Sequence, residues 1–280
     1  MSKKITIDAL KEKKKTREKI TMVTAYDFQM AEIIDEIGID LILVGDSLGN
    51  VILGYDSTVP VTMDEMLHHT KAVRRAVKRA FLVADMPFMS YQVNKDEAVR
   101  NAGRFMKEAG AEAVKVEGGG IVVEAVKKIV EAGIPVVGHL GLTPQTVSKL
   151  GGYKVQGKNL ESAQEILDSA FRLQKAGCFL LILECIPASL ARIITQNLDV
   201  PIIGIGAGPD CDGQVLVSYD LLGMIEKFKP KFAKRYANLS SQMKEAFTAF
   251  KDDVEKRIFP TQEHTFSMDE KLLRKLRIKK

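Results

Sequence analysis

Cysteine is scarce in this sequence of 280 residues: Cys178, Cys185 and Cys211 are the only three. Their odd number argues against a disulfide framework, and without any CxxC spacing there is no structural zinc motif. No uncharged apolar run approaches the roughly 20 residues that a membrane span requires. The opening segment, MSKKITIDALKEKKK, lacks the apolar stretch of a secretory signal. A cytoplasmic protein with no membrane association is therefore expected. The first turn between a strand-like and a helix-like segment, TAYDFQM, has no GxGxxG, which removes the main support for a dinucleotide-binding sheet. Neither an interdomain linker nor an internal repeat can be seen, so a single domain over residues 1–280 is expected.

A basic folded face is also missing. The net charge is +5, but residues 1–19 hold eight Lys/Arg against three acids and residues 269–280 hold six against two, leaving the body between them net acidic. A nucleic-acid enzyme places its basic patch on the folded surface. The ends read instead as solvated charged helices.

The sequence is 46% apolar and 28% charged, the proportions of a globular chain with a sizeable core. Eight short apolar, β-branched runs recur: ITMVTAY (20–26), LILVGDS (41–47), FLVADMP (81–87), AVKVEGG (113–119), PVVGHLG (135–141), FLLILEC (179–185), PIIGIGAG (201–208) and QVLVSYD (214–220). Most are continuously apolar, as strands of a parallel sheet covered on both faces must be. Helical spacing marks residues 28–38, 63–77, 94–110, 122–133, 159–177 and 188–198 between them. Eight strands with intervening helices predict a (β/α)8 TIM barrel, which typically needs roughly 250 residues, with an extra N-terminal helix before residue 20 and further helices over 224–280. The link between the seventh and eighth runs is too short for a normal helix. Two long connections, 49–62 and 142–158, leave from the strand ends where such barrels bind substrate and are candidate lids.

Active sites of this fold sit where strands end and βα loops begin. Reading those ends yields Tyr26–Asp27, Asp46–Ser47, Asp85, Lys115 with Glu117, His139, Glu184 and the turn Gly206–Gly208. Each has an ordinary reading alone: a helix cap for an Asp, a salt bridge for Lys115 and Glu117, a tight turn for the glycines. Several carboxylates at one barrel mouth would repel one another unless a cation or proton compensates. Carboxylates without cysteine or clustered histidine favour Mg²⁺, which would chelate a 2-oxo acid and stabilise its enolate while Glu184 or His139 acts as base.

Seven stretches, TAYD (24–27), GDSLGNV (45–51), ADMPF (84–88), VKVEGG (114–119), GHLGLTPQ (138–145), LECIP (183–187) and IGIGAGPDCDGQVLVSYDLLG (203–223), occur in this order. PKFAKRYANL (230–239) and FPTQEHTF (259–266) follow them. Together they resemble the ketopantoate hydroxymethyltransferases over nearly the whole chain. The resemblance implies Mg²⁺, 5,10-methylenetetrahydrofolate as cosubstrate, and conversion of 3-methyl-2-oxobutanoate to 2-dehydropantoate on the route to pantothenate and coenzyme A. It further implies that Asp46 and Asp85 hold the metal and that Glu117 completes its carboxylate environment. Asp46, Ser47, Asp85 and Lys115 would bind the oxo acid, Glu184 would take the C3 proton, and His139 would be a polar partner of substrate or folate. By the same resemblance a homo-oligomer, a decamer, is expected. Two rival readings remain: a carbon–carbon lyase of the isocitrate-lyase type, against which EGGGIVVEAV lacks a loop cysteine, and a non-catalytic binding barrel.

Overall fold

The computed structural model describes residues 3–148, 151–226 and 230–277. In chain order its elements are α1 (Ile7–Thr16), β1 (Ile20–Thr24), α2 (Phe28–Glu36), β2 (Leu41–Val44), α3 (Leu48–Val51), α4 (Met63–Ala76), β3 (Phe81–Asp85), α5 (Lys95–Ala109), β4 (Ala113–Glu117), α6 (Val122–Glu131), β5 (Val136–Gly141), α7 (Leu160–Lys175), β6 (Leu180–Glu184), α8 (Ala188–Asn197), β7 (Ile202–Ile205), β8 (Gly213–Leu216), α9 (Ser218–Leu221), α10 (Leu239–Glu255) and α11 (Glu270–Leu273). The eight strands pair in sequence, all parallel, and β8 closes on β1 to complete a (β/α)8 barrel. Every strand read from the sequence is present, and no helix joins β7 to β8.

Strand alternation divides the core into two layers. Leu41, Leu43, Phe81, Val83, Ala113, Val137, Ile182 and Ile203 fill the barrel interior. Their neighbours Ile42, Val44, Leu82, Val114, Leu181 and Ile202 pack outward beneath the helices. Both faces of each strand are thus dry, which explains the unbroken apolar runs. Helices α1, α2, α4, α5, α7 and α11 start on side-chain caps that satisfy one of their first backbone N–H groups. Thr62 and Glu65 form a reciprocal capping box at α4, and Asn94 caps α5, which ends on Gly110 in the left-handed region.

The N-terminal helix closes the barrel end away from the βα loops. Leu10 is fully buried and Ile5 joins the interior cluster. Four of the eight basic residues of this segment are engaged, while Lys3, Lys11, Lys15 and Arg17 are exposed: Lys4 meets Glu112 at 2.6 Å, Lys13 meets Asp40 at 3.0 Å, Lys14 meets Asp212 at 2.7 Å, and Lys19 Nζ donates to the Cys211 carbonyl at 2.6 Å. Charge that reads as solvated in the sequence therefore fastens α1 to the barrel rim.

Beyond β8 the helices expected over 224–280 are α10 and α11. Only α10 is long; the remainder is a 3₁₀ turn at Gln262–His264 and the short α11, among the described residues. Pro230 and Pro260 lack the N–H that a continuing helix needs. Two short elements fall in stretches that the sequence presents as loops, α3 and a 3₁₀ turn at Pro144–Thr146; both are too brief to show periodicity. The three cysteines are free. No described helix is long and apolar enough to cross a membrane.

Candidate active site

The inward register that packs the barrel continues upward into ionisable residues. Two positions above Val83 stands Asp85; above Ala113 stand Lys115 and then Glu117; above Val137 stands His139; above Ile182 stands Glu184. Period-two alternation places them on the interior face at the C-terminal mouth. Pairing brings them side by side, Asp85 opposite Lys115 and Glu117 opposite His139. Asp46 lies past the end of β2, and its backbone N–H donates to Asp85 Oδ2 at 3.0 Å.

These groups form one buried cluster. Lys115 Nζ lies 3.3 Å from both Asp85 Oδ1 and Glu117 Oε1. His139 Nδ1 is 3.2 Å from the same Glu117 oxygen, and Nε2 is 3.2 Å from Glu184 Oε2. Lys115 Nζ also approaches His139 Nδ1 at 3.2 Å, so two cationic groups converge on one carboxylate oxygen. Asp46, Asp85, Lys115, Glu117 and His139 are all nearly inaccessible, whereas the Glu184 side chain is 15% exposed, the most open carboxylate of the set.

Burial and charge set the proton balance. Burial raises the Asp46 carboxyl well above its usual range, and the charges of Glu117 and Asp85 add to this; Lys115 and Gln145 only partly oppose them. Asp85 is raised by burial and by Glu117, against Lys115. Burial would also raise Glu117, but Lys115 and His139 outweigh it and bring the group down to about 2. His139 resists protonation through burial and the Lys115 charge, yet Glu117 and Glu184 carry it up to about 9. Burial pulls Lys115 down, but the charges of Asp85, Glu117 and Asp46 outweigh it and hold the ammonium above its ordinary range.

The remaining strand-end residues divide. Ser47 Oγ is 2.8 Å from the hydroxyl of the buried Tyr26, beside the cluster. Asp27 caps α2 by accepting from the Met30 N–H and takes no part in the site. A Cβ on Gly206 would press on the Phe232 ring, and one on Gly208 would overlap Ala188, so those glycines serve close packing within the chain. Gly141 holds φ at +96°, and a Cβ there would overlap the Glu184 carbonyl oxygen. A side chain at that position would displace the strand end that carries Glu184.

Two site residues were not singled out from the sequence. Gln145, in the 3₁₀ turn after β5, reaches Asp46 and Glu117, and Tyr91, between β3 and α5, reaches Gln145 and Glu117. Gln145 ends the stretch GHLGLTPQ, so a signal for it existed; nothing in the sequence marks Tyr91.

The donor set suits a hard divalent cation. Asp46 and Asp85 offer carboxylate oxygens, Asp85 Oδ1 is buried without a hydrogen bond, and four carboxylates face only two cationic side chains. Among the described residues no three His, Cys, Asp or Glu side chains form a closed metal cage. One or two carboxylates with water and substrate oxygens is the usual Mg²⁺ arrangement.

Comparison with known proteins agrees with this geometry. The family model for ketopantoate hydroxymethyltransferase matches residues 4–262. A 3-methyl-2-oxobutanoate hydroxymethyltransferase of Syntrophomonas wolfei is 56% identical over 273 residues, covering 98% of this chain and 99% of its own. Another from Moorella thermoacetica is 57% identical over 263 residues, covering 94% and 98%. Among solved structures, phosphonopyruvate hydrolase in complex with oxalate and Mg²⁺ superposes with a TM-score of 0.61 at 13% identity, covering 96% of this chain and 94% of that one. A 2,3-dimethylmalate lyase of the PEP mutase/isocitrate lyase superfamily gives 0.58, also at 13%. Identities that low establish a shared fold and nothing more. The full-length matches above 50% decide the family: this chain belongs to the ketopantoate hydroxymethyltransferases.

Proposed function

We propose that this enzyme transfers a hydroxymethyl group from 5,10-methylenetetrahydrofolate to 3-methyl-2-oxobutanoate, yielding 2-dehydropantoate for pantothenate and coenzyme A synthesis. The observation that carries the reading is the buried set of four carboxylates against two cationic side chains, with Glu184 alone left open at the mouth. Asp46 and Asp85 would hold Mg²⁺. Glu117 acts through its charge or a water, because Oε1 already serves Lys115 and His139 and Oε2 accepts the Gln145 backbone N–H. When bound, Mg²⁺ polarises the keto oxygen and balances the carboxylates.

The chain's own groups do the rest. Lys115 and Ser47 bind and orient the oxo acid. Glu184 takes the proton from C3, with His139 Nε2 as an ion-pair neighbour 3.2 Å from its Oε2. The carbon left nucleophilic bonds to the one-carbon unit of the folate; water then adds its hydroxyl to that unit as the remaining C–N bond breaks, and tetrahydrofolate leaves with its nitrogen protonated. The lyase alternative shares the fold but not this family. The enzyme acts in the cytoplasm as a homo-oligomer, a decamer by family resemblance. The test is product formation from both substrates with Mg²⁺ and after chelation by EDTA: 2-dehydropantoate should form only with the metal, and equal rates in both would overturn the reading.

A further inference from the structure

Tyr91 and Gln145 stand between the carboxylates without a part in the chemistry above, and both are buried. Hydrogen-bond inventory fixes their orientation. The Glu117 backbone N–H can only donate, and it donates to the Tyr91 hydroxyl oxygen at 3.0 Å. The hydroxyl's own proton is then directed to Gln145 Oε1 at 2.7 Å, the Glu117 carbonyl being farther at 3.3 Å. Gln92 Nε2, at 3.3 Å, donates to the same amide oxygen. The opposite end of the Gln145 amide must therefore be its NH2, which donates to Asp46 Oδ2 and to the Met86 carbonyl, both at 2.9 Å. An inverted amide would set its oxygen against the Met86 carbonyl, which cannot donate, and its NH2 against the Tyr91 hydroxyl proton. The backbone N–H of Gln145 donates to Glu117 Oε2 at 3.1 Å. One residue thus restrains two carboxylates, Asp46 with its side chain and Glu117 with its backbone.

We propose that Tyr91 and Gln145 are positioning residues of the metal site: Tyr91 locks the Gln145 amide, and Gln145 pins Asp46 Oδ2 so that Oδ1 is left for a divalent cation. This rests on the reading that Asp46 and Asp85 hold Mg²⁺. Groups that orient metal ligands typically contribute 10–100-fold in affinity or activity.

The experiment is Mn²⁺ binding to the full-length protein without substrate, followed by electron paramagnetic resonance. Gln145→Leu should weaken Mn²⁺ binding by about 10–100-fold. Tyr91→Phe, which removes one oxygen and keeps the ring, should weaken it by a smaller factor. The double variant should bind no more weakly than Gln145→Leu, because Tyr91 acts through the amide. Affinities within about twofold of wild type in both single variants, or effects that multiply in the double variant, overturn the proposal. Asp85→Ala separates the two readings. Failure of the wild type to bind Mn²⁺, or wild-type binding by Asp85→Ala, removes the metal reading and this inference together. Binding that Asp85→Ala abolishes but Tyr91→Phe and Gln145→Leu leave intact removes only the positioning role.

Discussion

Glu184 is the residue on which the proposed chemistry turns. It closes β6, above Ile182 on the interior face, and is the only carboxylate of the cluster with substantial access to the mouth. A positioned base contributes roughly 10²–10⁴-fold to proton abstraction. Glu184→Gln should therefore keep Mg²⁺ and oxo acid binding while losing, by about that factor, the exchange of the C3 proton with deuterated water. Wild-type exchange in Glu184→Gln together with its loss in His139→Asn would reverse the two roles. A second residue, Asp35, makes a stability argument. It sits near the end of α2 and accepts the backbone N–H groups of Lys78, Arg79 and Ala80 at 3.0, 3.0 and 2.6 Å. Burial opposes its charge, but these three bonds outweigh burial and lower its pKa below the usual 3.8. A depressed folded-state pKa gives stability that is complete above the unfolded-state value and lost as pH falls through the folded-state value. Asp35→Asn should cost about 1–3 kcal/mol at pH 7. The gap to wild type should narrow below about pH 4. Urea unfolding from pH 7 down to pH 3 checks this, and a pH-independent gap would contradict it.

The two long connections that look alike in the sequence differ as elements. Residues 49–62 are stitched down: the Tyr55 N–H donates to the Gly49 carbonyl at 2.7 Å, the Asn50 amide to the Tyr55 carbonyl at 2.8 Å, and the Tyr55 hydroxyl to Glu65 at 2.6 Å. Thr58 and Val61 are buried within this loop. The connection over 142–158, of which residues 149 and 150 lie outside the described residues, has a buried root at Gln145 and an exposed outer part at Tyr153 and Val155. Its returning part is tied beside the end of β6, where the Gln156 N–H donates to the Cys185 carbonyl at 2.9 Å. Hydrogen exchange should show amides of 151–158 becoming better protected when Mg²⁺ and 3-methyl-2-oxobutanoate bind, with 49–62 already protected in the free enzyme. Identical exchange of 151–158 in free and bound protein would rule out closure by this loop.

At the scale of the whole molecule, the barrel accounts for the buried surface and the C-terminal region does not. No residue of α10 is buried, and Met243, Phe247, Phe250 and Val254 form an exposed stripe at helical spacing. Such an apolar face fits a second copy of this chain, as the proposed homo-oligomer would supply. Phe247→Asp with Phe250→Asp should shift sedimentation toward smaller species while circular dichroism remains that of a folded barrel; an unchanged sedimentation profile would exclude α10 from the interface. The strands, most helices and the ionisable strand ends were legible in the sequence because each is a local pattern: continuous apolar runs, a helical period, a polar residue where a run stops. The division of roles was not. Asp27 and Asp46 both follow apolar runs, yet one caps a helix and the other joins the carboxylate cluster, because only Asp46 follows a turn that meets Asp85 of the next strand. The basic N-terminus read as solvent-facing, and Lys11, Lys15 and Arg17 are, but Lys4, Lys13 and Lys14 meet acids of the barrel rim far away in the chain. Tyr91 and Gln145, 54 positions apart, carry no mark of partnership. The sequence by itself determined the barrel, its family and the ionisable groups at its mouth, since hydrophobic period and residue chemistry are written locally. Only the tertiary structure decided which of those groups touch and which are buried together, because distance and burial arise when strands close into a ring.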